Sequence, residues 1–226
     1  MDKATYALLE SYMLSCMHDS AHDKEHDYRV LYTALAIAKK ETDVDYDILI
    51  GACLLHDIGR QEQLEDPALC HALVGGDKAY RFLKDRGFPE EYADRVRQCI
   101  RTHRFRKNDP PQSLEAKILF DADKLDVAGA MGIARTLVYK GTVSDPLYRL
   151  NPHGQVSDGT GDTQPSFFQE YKFKLENLYS RFYTQAGARM AAERRPAAVA
   201  FYESLLEEVR SAYENGTQAL EETLQR

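Results

Sequence analysis

The sequence predicts an all-α fold, and three observations carry that expectation. Helical periodicity recurs along most of the chain. No alternating run of β-branched residues is long enough to form a strand. Turn-forming residues gather in one place, with four Gly and three Pro among the 25 residues of 141–165. The 226 residues suit a single domain over 1–226, with a helical core at about 20–140, a long irregular loop at 141–165 and C-terminal helices at 166–224.

Taken in order, the opening MDKATYALLESYML has acidic residues on both sides of its apolar stretch and no small-residue cleavage site. It is not read as a signal peptide. A helix starts near His26, and within 28–40 it places Val30, Leu31, Ala34, Leu35 and Ala38 on one face. Its terminal lysines suit the helix dipole. Segment 46–56 is apolar nearly all round, so that helix should be central. Helices follow at 71–86, closed by Gly87 and Pro89, at 90–104 and at 113–139. Beyond the loop, 166–190 and 194–224 resume helical patterns, with Pro196 in the first turn of the last, where proline is tolerated.

Lys plus Arg number 29 against 36 Asp plus Glu, a net charge of −7. That balance argues against a duplex nucleic-acid partner, since such affinity comes mainly from neutralising phosphates. It leaves room for a small anionic substrate in a local basic pocket. The longest apolar run, Ile48 to Leu55, falls short of the ~20 residues that span a bilayer. Cys16, Cys53, Cys70 and Cys99 share no CxxC spacing and read as reduced thiols. A soluble, cytoplasmic protein without a membrane partner is expected.

Six of the seven His precede residue 104. His56-Asp57 ends the most apolar helix, where an imidazole and a carboxylate are costly unless paired. A metal is the natural partner, because neutral imidazole and ionised carboxylate together suit first-row cations. Taken alone, a C-terminal His beside a capping Asp explains the pair equally well. His26, with Arg29 one turn on, is a second such group. Asp121, Asp123, Lys124 and Asp126 make a third, set in a helix after Ile118-Leu119-Phe120. Residues 95–107 carry five Arg and one Lys with no acid, a stripe that would focus an anionic substrate beside His103.

The motifs HDYRV (26–30), LLHDIGR (54–60), HALVGGDKA (71–79), IRTHR (100–104) and DADKLDVAGAMGIAR (121–135) occur in that order. Together they resemble the H…HD…D signature of the HD-domain metal-dependent phosphohydrolases. The tail at 167–195 is similar to that of a compact bacterial subgroup including nucleotide pyrophosphohydrolases, so the resemblance covers roughly residues 20–210. It implies an all-α HD-domain bundle with His26, His56, Asp57 and Asp123 as metal ligands. Asp123 is preferred over Asp121 because Ala122–Leu125 reproduces the family's Ala-Asp-Lys-Leu context. Asp121 and Asp126 then support the ligands or the helix.

The resemblance further implies roles for Asp57, His71, His103 and Lys124 in catalysis. His22, Arg29, Arg60, Arg104 and Lys124 become the substrate contacts, while His18 reads as a surface residue and His153 has no assigned partner. The implied cofactor is a divalent cation, Mn2+ first, with Fe2+, Ni2+, Mg2+ or Zn2+ as alternatives. The implied reaction takes a (deoxy)nucleoside triphosphate to its monophosphate and pyrophosphate through a metal-activated water. Two alternatives stand beside it: a two-metal phosphodiesterase or nucleotidase that adds His71 and His103 as ligands, and a non-catalytic, metal-stabilised nucleotide-binding module. Stringent-response hydrolases of this family carry a Glu-Asp pair shortly after the doublet; Ile58-Gly59-Arg60-Gln61 stands here instead, against that substrate. The C-terminal helices offer a face for a homodimer.

Overall fold

Short polar side chains set where several helices begin. Asp2 accepts a hydrogen bond from Thr5 N at 2.7 Å and heads α1 (Lys3–Cys16). Helix α2 spans Lys24–Ala38. Asp45 accepts from Asp47 N and Ile48 N at 3.1 and 3.2 Å and heads α3 (Tyr46–Leu55). After α4 (Arg60–Glu65), α5 (His71–Asp85) and α6 (Glu90–Thr102), Ser113 accepts from Ala116 N at 3.1 Å and heads α7 (Leu114–Leu125). Helix α8 covers Gly129–Thr142, α9 covers Phe167–Glu170 and α10 covers Gln185–Leu224.

This computed structural model describes residues 1–17, 24–104 and 109–225. Among the described residues there is no strand, only an isolated bridge between Leu150 and Val156. None of their helices is long and apolar enough to cross a membrane. The chain divides into two compact units, Met1–Asp126 with Phe182–Arg189, and Val127–Arg181 with Met190–Arg226.

In the first unit α3 is the hub, as its apolar surface predicts. Ile48, Leu49, Gly51, Ala52, Cys53, Leu54 and Leu55 are all buried, and the helix packs against α1, α2, α5, α6 and α7. Two glycines bring the end of this hub against α5. A Cβ at Gly59 would lie 2.4 Å from the His71 carbonyl and 2.5 Å from Gly75 N. The absence of a side chain at Gly59 therefore lets the backbone after His56-Asp57 touch the first turn of α5. Residues 182–189 are tied to α7 by Asp121, which accepts from Thr184 N and Oγ1, both at 2.7 Å, and from Tyr183 N at 2.9 Å.

The second unit packs on aromatic rings. Tyr171 and Tyr202 stack with centroids 3.9 Å apart, and Phe168 meets Tyr202 edge-on at 5.5 Å. The expected 141–165 loop begins after Thr142, where α8 ends. It folds back around Asn151, whose Oδ1 accepts from His153 N and Gln155 N at 2.9 and 3.0 Å. The Tyr202 hydroxyl donates to the Asp158 carbonyl at 2.5 Å.

Three helix boundaries differ from the sequence expectation. The segment 113–139 is two helices, because α7 stops at Leu125 and Gly129 takes φ +67°, a left-handed conformation, before α8 starts. The segment 166–190 is not one helix. Four residues of α9 pass into a π-turn at Tyr171–Leu175, which buries both of those residues, and a 3₁₀ turn follows at Leu178–Ser180. The last helix starts at Gln185 rather than 194, since the Thr184 hydroxyl takes the Gly187 N–H at 3.0 Å and caps it there. Pro196 consequently lies inside α10. Both Pro196 and Ala192, whose carbonyl loses its partner, are exposed, so water can serve the orphan oxygen.

Candidate metal centre

Five helices of the first unit each deliver a side chain to one cluster. Helix α2 carries His26, the C-terminus of α3 carries His56 with Asp57 following, and α5 begins at His71. His103 caps α6, and Asp123 stands in the last turn of α7. His26, His56, Asp57, His71 and His103 are buried, while the Asp123 side chain keeps 26% of its exposure.

Each imidazole is oriented by an acceptor at its Nδ1. His26 Nδ1 donates to Asp126 Oδ2 at 2.8 Å, and His71 Nδ1 donates to Gln63 Oε1 at 2.6 Å. His56 and His103 use the same local device at two helix ends. Each folds back on the carbonyl three residues earlier, Cys53 O at 2.8 Å and Ile100 O at 2.6 Å, at a helix end where carbonyls run short of intrahelical partners. The Gln63 amide orientation is itself fixed, because its Nε2 donates to the Leu69 carbonyl at 3.0 Å. With Nδ1 occupied, all four Nε2 atoms are left as the ligating nitrogens.

These nitrogens face one another in two pairs. His26 and His56 bring Nε2 atoms within 3.4 Å, and His71 and His103 bring theirs within 3.3 Å. Asp57 lies between the pairs. Its Oδ2 is 3.6 Å from His26 Nε2 and 3.8 Å from His56 Nε2, while its Oδ1 is 3.5 Å from His71 Nε2 and 3.7 Å from His103 Nε2. Asp123 Oδ1 is 3.4 Å from His26 Nε2. Ligands about 2.1 Å from a shared first-row cation are separated by such distances. Lone pairs crowded this closely repel unless a cation or a proton lies among them. Asp57 Oδ1 is buried without a hydrogen-bond partner, which points the same way. The donor set fits a divalent metal.

The titration of these groups follows from burial and charge. For His26 burial opposes the charged ring, but hydrogen bonds to Asp123 and Asp126 outweigh it and raise its pKa to about 10. A proton there stands in for the cation. Burial lowers His71 to about 2 and His103 to about 4, so both rings are neutral near neutral pH. Asp57 is held well below the usual carboxylate range: burial pushes it up, and Arg60 with the imidazoles overcomes that. Asp123 is likewise depressed, against its burial, by His26 above all. Asp27, beside His26, is lifted by burial to about 7.

Basic side chains rim the cluster. Arg60 Nε donates to Asp57 Oδ2 at 2.9 Å, and Arg104 Nη1 lies 3.5 Å from His71 Nδ1. Arg29 grips Asp126 through Nε at 2.8 Å and Nη2 at 3.0 Å. Lys124 lies over the Phe120 ring at 4.4 Å. His18 and His22 fall outside the described residues, and His153 lies at the Asn151 turn, in the second unit.

The expected basic stripe is not a single focusing face. Arg95 pairs with Asp45 at 2.8 Å, Arg97 pairs with Asp94 and lies over the Tyr80 ring, and Arg101 pairs with Asp77 at 3.2 Å. Asp45 and Asp77 from other parts of the chain, with Asp94 just before the run, neutralise these three, and Arg104 alone of the described stripe adjoins the cluster. Residues 105–107 lie outside the described residues. Gln63 and Asp27 were not anticipated. Asp27 did carry a signal, since it shares its helix face with the apolar Val30, Leu31 and Ala34. Gln63 carried none, because the six-residue α4 is too short to show a period.

Residues 17–128 match the family pattern of the HD domain. Bacillus subtilis YpgQ is 31% identical over 194 residues, a match covering 84% of this chain and 85% of YpgQ. The crystal structure of YpgQ in complex with ADP is similar with a TM-score of 0.70 at 28% identity, over 90% of this chain and 97% of that one. The crystal structure of a predicted HD superfamily hydrolase from an uncultured Thermotogales bacterium gives a TM-score of 0.59 at 29% identity, over 91% of this chain and 92% of its own.

Proposed function

The chain belongs to the HD-domain family of metal-dependent phosphohydrolases, and from that premise we propose that it hydrolyses a (deoxy)nucleoside triphosphate to the monophosphate and pyrophosphate. The observation that carries this reading is the cluster of inward-facing Nε2 atoms around Asp57, rimmed by Arg29, Arg60 and Arg104. A relative solved with ADP supports a nucleotide as the occupant.

His26, His56, Asp57 and Asp123 would hold the cation; a mixed imidazole and carboxylate set suits several first-row cations, and the family resemblance puts Mn2+ first. When bound, a divalent cation supplies Lewis acidity and lowers the pKa of water. The protein supplies the rest. Arg60 and Arg104 meet phosphate oxygens, for which a guanidinium offers two parallel donors. Lys124, next to Asp123, adds a point charge where negative charge grows in the transition state. Arg29 holds Asp126, and Asp126 in turn fixes the His26 ring. His22 contacts the substrate in this reading.

A specific observation favours a second reading, in which His71 and His103 are ligands of a second cation. Asp57 turns one oxygen to each histidine pair, and the Oδ1 facing His71 and His103 lacks a hydrogen-bond partner. With neutral rings and Nδ1 already donating, neither has a proton to release at Nε2. In the first reading those two histidines instead pass a proton to the leaving oxygen.

The deciding experiment screens the Mn2+-loaded chain against nucleoside triphosphates, diphosphates and phosphate esters, measuring phosphate and pyrophosphate separately and the bound metal. Pyrophosphate released from a triphosphate is the expected result. Phosphate release alone, with two metals per chain, would select the two-metal phosphodiesterase or nucleotidase. Nucleotide binding without either product would make the protein a binding module.

A further inference from the structure

We infer that Asp27 is a positioning residue of the metal centre, a buried carboxylate behind the His56 ring that polarises this imidazole as a ligand. The proposal rests on His56 holding a cation. Asp27 is 1% exposed and shares its helix face with Val30, Leu31 and Ala34, all buried. Neither of its oxygens has a hydrogen-bond partner. A carboxylate in such a place destabilises a fold unless some charge compensates it.

The compensating charge lies one ring away. Asp27 Oδ1 is 3.4 Å from His56 Nδ1, while the opposite nitrogen, Nε2, faces His26 Nε2 at 3.4 Å. His56 needs no carboxylate to set its tautomer, since Cys53 O already accepts from Nδ1 at 2.8 Å. Asp27 therefore acts through charge. It makes Nε2 a better donor to a cation and stabilises the positive charge that coordination draws onto the ring. Asp126 stands in the corresponding place behind His26, at 2.8 Å from its Nδ1. Each histidine of this pair is thus backed by a carboxylate, an arrangement known to tune metal-ligating imidazoles by 10–100-fold in affinity.

The test uses the full-length chain stripped of metal, in wild-type, Asp27→Asn and Asp27→Leu forms. Mn2+ binding is followed by titration calorimetry at a pH above 7, where Asp27 carries its charge, and the melting temperature of each stripped protein is recorded. Asp27→Asn keeps the shape and loses the charge, so Mn2+ affinity should fall by about tenfold. Asp27→Leu also loses the acceptor oxygen and should bind at least as weakly, while both stripped variants melt no lower than wild type. A packing role leaves the isosteric Asp27→Asn unchanged. Affinity within twofold of wild type in Asp27→Asn would overturn the proposal, and so would a loss of metal that merely tracks a lower melting temperature. If the leucine variant does not fold, the asparagine variant decides alone. Failure of the wild-type chain to bind Mn2+ would strike at the metal centre itself and is distinguishable from either result.

Discussion

Among the described residues Asp57 is the side chain whose two oxygens face both histidine pairs, and its environment makes it hard to replace. An asparagine there would present an amide N–H₂ to imidazole lone pairs on one side and remove the negative charge held by Arg60. Asp57→Asn is expected to lose bound metal entirely and to lower turnover by at least about a thousandfold, read by metal analysis and single-turnover hydrolysis. His26 makes a second prediction with a definite sign. Its pKa is raised to about 10 in the metal-free site, so at neutral pH a cation must displace a proton from the ring. Asp57 and Asp123 are already ionised there, and His71 and His103 are already neutral, so they add no further slope. Apparent Mn2+ affinity should therefore rise with pH, by about tenfold per unit below the His26 pKa. Above pH 7, where Asp27 is also ionised, calorimetry in buffers of different ionisation enthalpy should report one proton released per cation; a pH-independent constant would contradict it.

The elements hold these residues by contacts of unequal legibility. Gly59 admits the backbone following the His-Asp doublet against α5, and a methyl group there would meet the His71 carbonyl at 2.4 Å. Gly59→Ala should cost about 1–3 kcal/mol in urea unfolding and should also weaken metal binding, since His71 moves with that carbonyl. Wild-type stability in this variant would mean the two segments can part without consequence. The proposed ligands His26, His56, Asp57 and Asp123 stand out in the sequence through the family resemblance, helped by polar groups set beside apolar stretches, where burial demands a partner. Their supports were legible only in part. Asp126, an expected support of the ligands or the helix, does hold the His26 ring, but nothing in the pattern says which histidine it meets 100 residues away, and Gln63 reaches His71 from a helix too short to show a period. The π-turn at Tyr171–Leu175 was equally hidden, because a wider turn shifts a buried aromatic face by one residue without changing composition. The basic stripe misled for the opposite reason: its neutralising acids, Asp45, Asp77 and Asp94, lie outside the run or before it in sequence.

The whole chain carries a net charge of −7, and at that scale metal binding and folding become one equilibrium. A negative field draws divalent cations in and disfavours anionic substrates, so the arginines at the rim have to overcome it locally. The proposed ligands come from α2, the end of α3 and α7, with His71 and His103 adding α5 and α6. No unfolded chain presents that set together. A cation therefore binds the native state selectively and stabilises it by about 2.7 kcal/mol when present at a hundredfold excess over its dissociation constant. For a chain of 226 residues this corresponds to a melting shift of roughly 5–10 °C. Calorimetry of the stripped protein with and without Mn2+ should show that rise, and a chelator should reverse it. His56→Ala should abolish the shift, because removing one of two facing nitrogens leaves the other pair partner without a shared ion. If heating resolves the two compact units as separate transitions, Mn2+ should move the transition of the unit that holds α2 to α7. A shift confined to the other transition would place the cation elsewhere and end the assignment of these ligands.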